Sequence, residues 1–138
     1  MRELKSLTIV SPFFNEQDGA WSFYNALRQQ MTELNLSYTF IFVDDGSRDG
    51  TLTVLNQIAD QDERVTVLAL SRNFGHQTAL TAGLDFAPAD DVVVVMDSDL
   101  QHPPATITNM LAQYQQGADI VYGVRNQSRN LSFAKRLT

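Results

Sequence analysis

Val92-Val93-Val94-Val95-Met96-Asp97-Ser98-Asp99-Leu100-Gln101-His102-Pro103-Pro104 decides how this chain is read. A short apolar run bounded by polar residues is the pattern of a buried strand in a parallel sheet. Two carboxylates one residue apart follow at once. Along a continuing strand they would point to opposite faces. If the strand ends near Met96 and the chain turns, both can face one point in the crevice beyond the sheet, where open α/β sheets bind ligands. Two hard oxygen donors there suit Mg²⁺ or Mn²⁺, with a phosphate completing the shell. From this stretch alone, two acids in a solvated turn is the competing reading.

Outward from it, strands and helices alternate. Residues 7–10, 38–43, 65–70 and 92–96 read as strands, and residues 120–124 as a fifth. Ala20, Tyr24, Leu27, Met31 and Leu34 recur at helical spacing. Asp49-Gly50-Thr51 precedes Leu52, Leu55 and Ile58, which places an N-cap at or beside Asp49. A third helix is expected over 77–86. Pro103-Pro104 fits the first turn of a fourth, with Ile107, Met110, Leu111 and Tyr114 as its buried face. The alternation predicts a mostly parallel sheet with right-handed crossovers and helices on both faces. The polar clusters at 11–16, 44–49, 71–76 and 97–102 all follow strands, so they share one edge of that sheet.

Composition narrows the function classes. With 138 residues the chain can build one α/β domain with a real core. It has no cysteine, which excludes a disulfide framework, a zinc–thiolate site and a thiol nucleophile. No apolar run approaches the roughly 20 residues needed to span a bilayer. The start, Met1-Arg2-Glu3-Leu4-Lys5, does not resemble a signal peptide, and a cytoplasmic setting is expected. The net charge is −6, yet Arg125, Arg129, Lys135 and Arg136 lie in a terminal stretch without acids. The body is therefore strongly acidic, which argues against nucleic acid as a partner. The basic end suits a phosphate or an anionic membrane surface, or is simply a solvated terminus.

Asp44-Asp45-Gly46-Ser47 admits three chemistries. A phosphorelay receiver needs its acidic pair after the first strand and a lysine after a later one; the only lysines are Lys5 and Lys135. An aspartyl-phosphate hydrolase carries Asp-x-Asp-x-Thr/Val after a strand, and Asp97-Ser98-Asp99-Leu100-Gln101 lacks that final residue type. Nucleotide recognition needs a carboxylate to accept from a base or ribose, and a glycine such as Gly46 for close approach. The dinucleotide fingerprint G-x-G-x-x-G, the phosphate loop and G-x-S-x-G are all absent. His76 and His102 are the only histidines, and zinc is disfavoured.

Taken in order, Ser11-Pro12-Phe13-Phe14-Asn15-Glu16, Asp44-Asp45-Gly46-Ser47-Arg48-Asp49-Gly50-Thr51, Ser71-Arg72-Asn73-Phe74-Gly75-His76 and Asp97-Ser98-Asp99-Leu100-Gln101-His102-Pro103-Pro104 resemble family-2 glycosyltransferases of the GT-A fold. The nearest branch is the polyprenyl-phosphate one, with dolichyl-phosphate mannosyltransferase and undecaprenyl-phosphate glucosyl- and aminoarabinosyl-transferases. The resemblance implies an α/β, Rossmann-like GT-A sandwich, with residues 1–138 as the nucleotide-sugar-binding part of one catalytic domain that continues beyond them. It implies inverting, Mg²⁺- or Mn²⁺-dependent transfer from a nucleoside-diphosphate sugar, UDP in preference to GDP, to an undecaprenyl or dolichyl phosphate.

The same resemblance assigns roles. Pro12, Phe14, Asn15 and Glu16 would line the nucleoside pocket. Asp44 would contact the base and Asp45 would support the loop, while Arg72 and Asn73 would lie near the nucleotide-sugar. Asp97, Asp99 and Gln101 would hold the metal and diphosphate, and Arg125 the acceptor phosphate, making Asp97, Asp99 and Arg125 the catalytic set. The protein would work at the cytoplasmic face of a membrane, which it would meet through sequence beyond Thr138. Where the branch usually carries an acid after the two prolines, Ala105 stands here. A glycosyltransferase acting on a sugar or protein hydroxyl, or a nucleotide-sugar-binding module without turnover, are the alternatives.

Overall fold

The computed structural model describes residues 1–88 and 92–123. Four strands, β1 (Ser6–Phe13), β2 (Ser37–Asp44), β3 (Val65–Ala69) and β4 (Val92–Val95), alternate with four helices, α1 (Ala20–Glu33), α2 (Thr51–Gln61), α3 (His76–Phe86) and α4 (Thr106–Gln115). All pairings are parallel, in the order β3-β2-β1-β4. The chain steps outward from β1 to β3 and then crosses back to β4. Right-handed crossovers therefore put α1 and α2 on one face and α3 on the other.

The core divides accordingly. Leu7, Ile9 and Phe13 of β1 with Phe40 and Phe42 of β2 pack on Phe23, Leu27 and Met31 of α1, Leu55 and Ile58 of α2, and Ile107 and Leu111 of α4. Phe13, Phe23 and Phe42 meet at centroid distances of 5.0 to 6.0 Å, Phe13 edge-on to the other two rings. On the opposite face Val10, Ile41 and Val43 pack on Ala79 of α3. The alternation of faces along β1 and β2 is the period-2 rule made visible. Buried Tyr24 donates to Asp62 at 2.7 Å; burial first, and then this carboxylate, push its phenol up to about 12.

α3 sits close to the sheet because Gly83 is buried against it. A Cβ there would lie 2.4 Å from Val10 Cγ1 and 3.1 Å from Val43 Cγ2. Gly83→Ala gains about 1 kcal/mol of helix propensity but overpacks at a typical cost of 1–3 kcal/mol. A net fall in Tm of a few degrees is expected, read by thermal unfolding; an unchanged or higher Tm would show that α3 can lift off the sheet freely.

Three sequence expectations are corrected. Residues 120–123 form no strand, although a fifth was expected over 120–124; Val124 lies outside the described residues. An apolar run becomes a strand only where a ladder partner takes its backbone groups, and here a cavity of about 440 Å³ separates residues 120–123 from β4. Pro103 and Pro104 precede α4 instead of opening it. Their carbonyls accept from Thr106 and Ile107 in a tight turn, and Ala105 is the N-cap. The α2 N-cap, by contrast, falls at Gly50, beside Asp49 as expected, and Asp49 Oδ1 accepts from the Thr51 N–H at 2.9 Å and so satisfies a first-turn donor. In α4, Met110 and Tyr114 are half-buried, not buried like Ile107 and Leu111.

Candidate functional site

β1 is the strand from which the chain leaves in both directions, toward β2 and later to β4. Loops following β1 and β4 therefore diverge, and open a crevice at the carboxyl edge of the sheet. All four polar clusters contribute residues to it.

The loops are locked to one another before any ligand arrives. Gly46, at φ 66°, lets the β2 loop pass against the backbone of Arg72 and Asn73. Asp45, only 3% exposed, takes the opposite side of that contact. Its carboxylate accepts from Phe74 N at 2.9 Å, Gly75 N at 3.2 Å and Asn73 Nδ2 at 3.2 Å, and its carbonyl accepts from Asn73 Nδ2 at 3.1 Å. A second set ties the β1 loop to the β2 loop. Asn15 N donates to Ser47 Oγ, Arg48 N to Asn15 Oδ1, Glu16 N to Thr51 Oγ1 and Gly50 N to Gln17 Oε1, each at 2.9 Å. Asn15 reaches this geometry at φ 52°, a conformation asparagine tolerates. The Asp49 carboxyl is held below its ordinary range by the Thr51 hydroxyl.

Two adjoining cavities result. One, of about 330 Å³, is lined by Pro12, Phe13, Phe14, Asp45, Asn73, Gly75 and His76. The other, of about 230 Å³, is lined by Pro12, Phe14, Glu16, His76, Asp97, Ser98 and Asp99. Pro12, Phe14 and His76 are common to both. The first is apolar and aromatic with a few polar groups. The second carries three carboxylates. Burial first, and then repulsion from Asp99 and Asp49, push the Glu16 carboxyl above its ordinary range.

The expected site residues are thus gathered unevenly. Pro12, Phe14, Glu16, Asp45, Asn73, Asp97 and Asp99 converge on the two cavities. Asn15 lines neither, and its side chain holds the β2 loop. Arg72 lies with its guanidinium carbon 3.9 Å from the centroid of the Phe74 ring. Asp44 is buried under the site: Oδ2 accepts from Ser47 N at 3.3 Å, while Oδ1, like Ser11 Oγ, has no hydrogen-bond partner. It lines neither cavity. Gln101 is exposed, and its backbone N–H donates to Asp99 Oδ1 at 3.1 Å, closing a turn through Leu100 at φ 59°. Arg125 lies outside the described residues.

Among the described residues no three His, Cys, Asp or Glu side chains are grouped as a metal cage. The donor set nevertheless fits a hard divalent cation. Asp97 and Asp99 share one pocket and offer oxygen only, and Mg²⁺ is commonly held by one or two carboxylates with substrate phosphates supplying the rest. Sequence reasoning did not find the contact between His76 and Asp97, nor the grip of Gln17 and Thr51 on the neighbouring loops. His76 stood out as one of two histidines and as the end of the motif at 71–76, with no partner assigned.

Against known proteins, the architecture and the motifs agree. A mannosyltransferase from Pyrobaculum calidifontis, solved with GDP-Man and Mn²⁺, superposes with a TM-score of 0.68 at 21% identity, over 86% of this chain and 34% of that one. Staphylococcus aureus TarS, solved with UDP, gives 0.52 at 19% identity, over 77% of this chain and 33% of that one. These likenesses establish the GT-A fold. In sequence, the uncharacterized glycosyltransferase YkcC of Bacillus subtilis is 38% identical over 95% of this chain and 40% of its own length. The bactoprenol glucosyl transferase of Shigella phage SfV is 36% identical over 96% of this chain and 43% of its own. The chain thus spans about two fifths of the length of these relatives. With the family model for glycosyl transferase family 2 matching residues 8–138, and the four loop motifs meeting at one edge of a GT-A sheet, the chain belongs to glycosyl transferase family 2.

Proposed function

We propose that this chain binds a nucleoside-diphosphate sugar and contributes the donor half of a glycosyl transfer to a polyprenyl phosphate. One observation carries the reading. At the switch point of the sheet, an aromatic-lined cavity and a carboxylate-lined cavity adjoin through Phe14 and His76. A nucleotide-sugar is chemically split in the same way, with a flat, hydrogen-bonding base at one end and a diphosphate at the other. The aromatic-lined cavity suits the nucleoside, and the carboxylates suit the diphosphate with its cation.

In this reading Asp97 and Asp99 hold Mg²⁺ or Mn²⁺. The bound ion would neutralise charge building on the departing nucleoside diphosphate, a Lewis-acid role. Phe14 and Pro12 pack beside the nucleoside, Asn73 and Arg72 border the donor, and Asp45 keeps the pocket wall in place. The acceptor is suggested by the bactoprenol glucosyl transferases among the relatives. A polyprenyl phosphate arrives already ionised and needs orientation and charge matching in place of a general base, whereas a hydroxyl acceptor would need one. Single displacement with inversion follows from attack on the face opposite the leaving diphosphate. We assign Arg125 to the acceptor phosphate, since its planar fork matches phosphate oxygens. A lipid-borne acceptor puts the reaction at a membrane surface, its cytoplasmic side in this reading. Among the described residues no helix is long and apolar enough to cross a membrane.

Calorimetry with UDP and GDP, with and without Mn²⁺, tests the donor half. Asp99→Asn keeps shape and removes a charge from an exposed loop. It is expected to weaken Mn²⁺-dependent nucleotide binding about tenfold or more while leaving Tm unchanged. Equal affinity in chelator and in Mn²⁺ would remove the metal from this reading; metal-dependent binding unaltered by the substitution would move it elsewhere in the chain.

A further inference from the structure

One contact at the site is not explained by nucleotide or metal binding alone. His76 Nε2 lies 3.0 Å from Asp97 Oδ1, across a sequence separation of 21 residues. His76 is the first residue of α3 and Asp97 follows β4. The two are neighbours only because the chain crosses back over the sheet to put β4 beside β1. Among the described residues, His76 is the sole hydrogen-bond partner of the Asp97 side chain.

We propose that His76 is a positioning residue for Asp97: its imidazole holds one carboxylate oxygen so that the other is presented to the cation at the diphosphate site. The inference rests on the assignment of Asp97 made above and concerns what aims it. Asp97 is about half exposed, with 47% of its side chain accessible, so packing alone does not fix its rotamer. A hydrogen bond from Nε2–H to Oδ1 restricts the carboxylate to one orientation and leaves Oδ2 for the 230 Å³ cavity that both residues line. Hydrogen-bond partners of metal ligands typically govern metal affinity by 10–100-fold.

The backbone around His76 is built to hold it there. Gly75 adopts φ 103° and ψ 159°, a conformation that L side chains rarely adopt. The Phe74 and Gly75 N–H groups are both bound by the buried Asp45 carboxylate. The histidine thus stands on a segment tied to the sheet edge, and reaches across the crevice to an exposed carboxylate. An exposed pair of this kind contributes little to stability. Removing the imidazole is therefore expected to leave the fold alone and to act on metal affinity.

The test uses Mn²⁺, titrated into the purified protein with saturating UDP or GDP and followed by the electron paramagnetic resonance signal of the free ion. His76→Ala should raise the Mn²⁺ dissociation constant about tenfold or more, at unchanged Tm. His76→Gln should recover most of the loss, because its Nε2 amide can donate to the same oxygen. Unchanged Mn²⁺ affinity in His76→Ala would overturn the proposal. So would a nitrogen coupling from an imidazole bound to Mn²⁺, which would make His76 a ligand. Asp97→Asn separates the two levels. If it weakens Mn²⁺ and His76→Ala does not, only the positioning role fails. If Asp97→Asn has no effect, the metal assignment fails with it.

Discussion

Gly46→Ala should abolish measurable nucleotide binding while costing about 3 kcal/mol or more of stability. Two effects add. At φ 66° an alanine pays about 1–2 kcal/mol for left-handed backbone. Its Cβ would also lie 2.2 Å from the carbonyl carbon of Arg72 and 2.3 Å from the amide nitrogen of Asn73. These are backbone atoms, so no side chain can rotate away, and overpacking of this kind typically costs 1–3 kcal/mol. The β3–α3 loop has to move, and it carries Asn73 and Gly75, which line the larger cavity, and His76, which lines both. Thermal unfolding and calorimetry with UDP and GDP read the two parts separately. Native Tm with native affinity would show that the close approach of the two loops is not used.

Gly46 also marks where sequence reasoning reached and where it stopped. A glycine permitting close approach was legible in Asp44-Asp45-Gly46-Ser47; what it approaches was not. The partner is the backbone of residues 72 and 73, brought there by the pairing of β2 with β3. The strand cores were legible because Phe40-Ile41-Phe42-Val43 and Val92-Val93-Val94-Val95 are apolar runs too short to be helices. Residues 120–123 carry a similar signal without a ladder partner, and composition cannot report that. The parallel architecture followed from alternation, but the order β3-β2-β1-β4 did not, and it is this order that puts Asp97 beside His76 and Glu16. The two adjacent acids show the limit most plainly. Asp44 and Asp45 are chemically identical in the sequence. One closes β2 and turns into the core face; the other leaves the strand and grips a loop. A single residue of register separates a carboxylate sealed beneath the site from one that lines the larger cavity.

Asp45→Ala is expected to disorganise the same wall from its other side. The substitution removes the acceptor for three donors: Phe74 N, Gly75 N and Asn73 Nδ2. Hydrogen bonds to a charged acceptor contribute about 1.5–3 kcal/mol each, and a buried donor left without a partner costs about 1–3 kcal/mol. Water can enter part of the gap, because the cavity adjoins it, so a net loss of about 3 kcal/mol is expected rather than the full sum. Gly75 would lose its anchor, and His76 with it. Nucleotide affinity should fall at least tenfold, both for the diphosphates and for uridine or guanosine, because the damage is to the wall and not to the cation site. Asp45→Asn is the sharper variant. It keeps the volume and one acceptor oxygen, but turns an NH₂ group toward the Gly75 N–H or the Asn73 amide, and one donor pair must then face another. It should be destabilised nearly as much as the alanine variant. If Asp45→Asn behaves like the native protein, the charge and the second oxygen are not what holds the loop. Since Gly46 and Asp45 secure one contact between the same two segments, their effects cannot be independent. The double variant Asp45→Ala/Gly46→Ala should lose less stability than the sum of the singles by about 1 kcal/mol or more, which is the coupling expected of neighbours sharing one structural element. Strict additivity in that cycle would mean that the glycine and the carboxylate act on different parts of the site, and would dissolve the two-sided lock as the device that holds the larger cavity open.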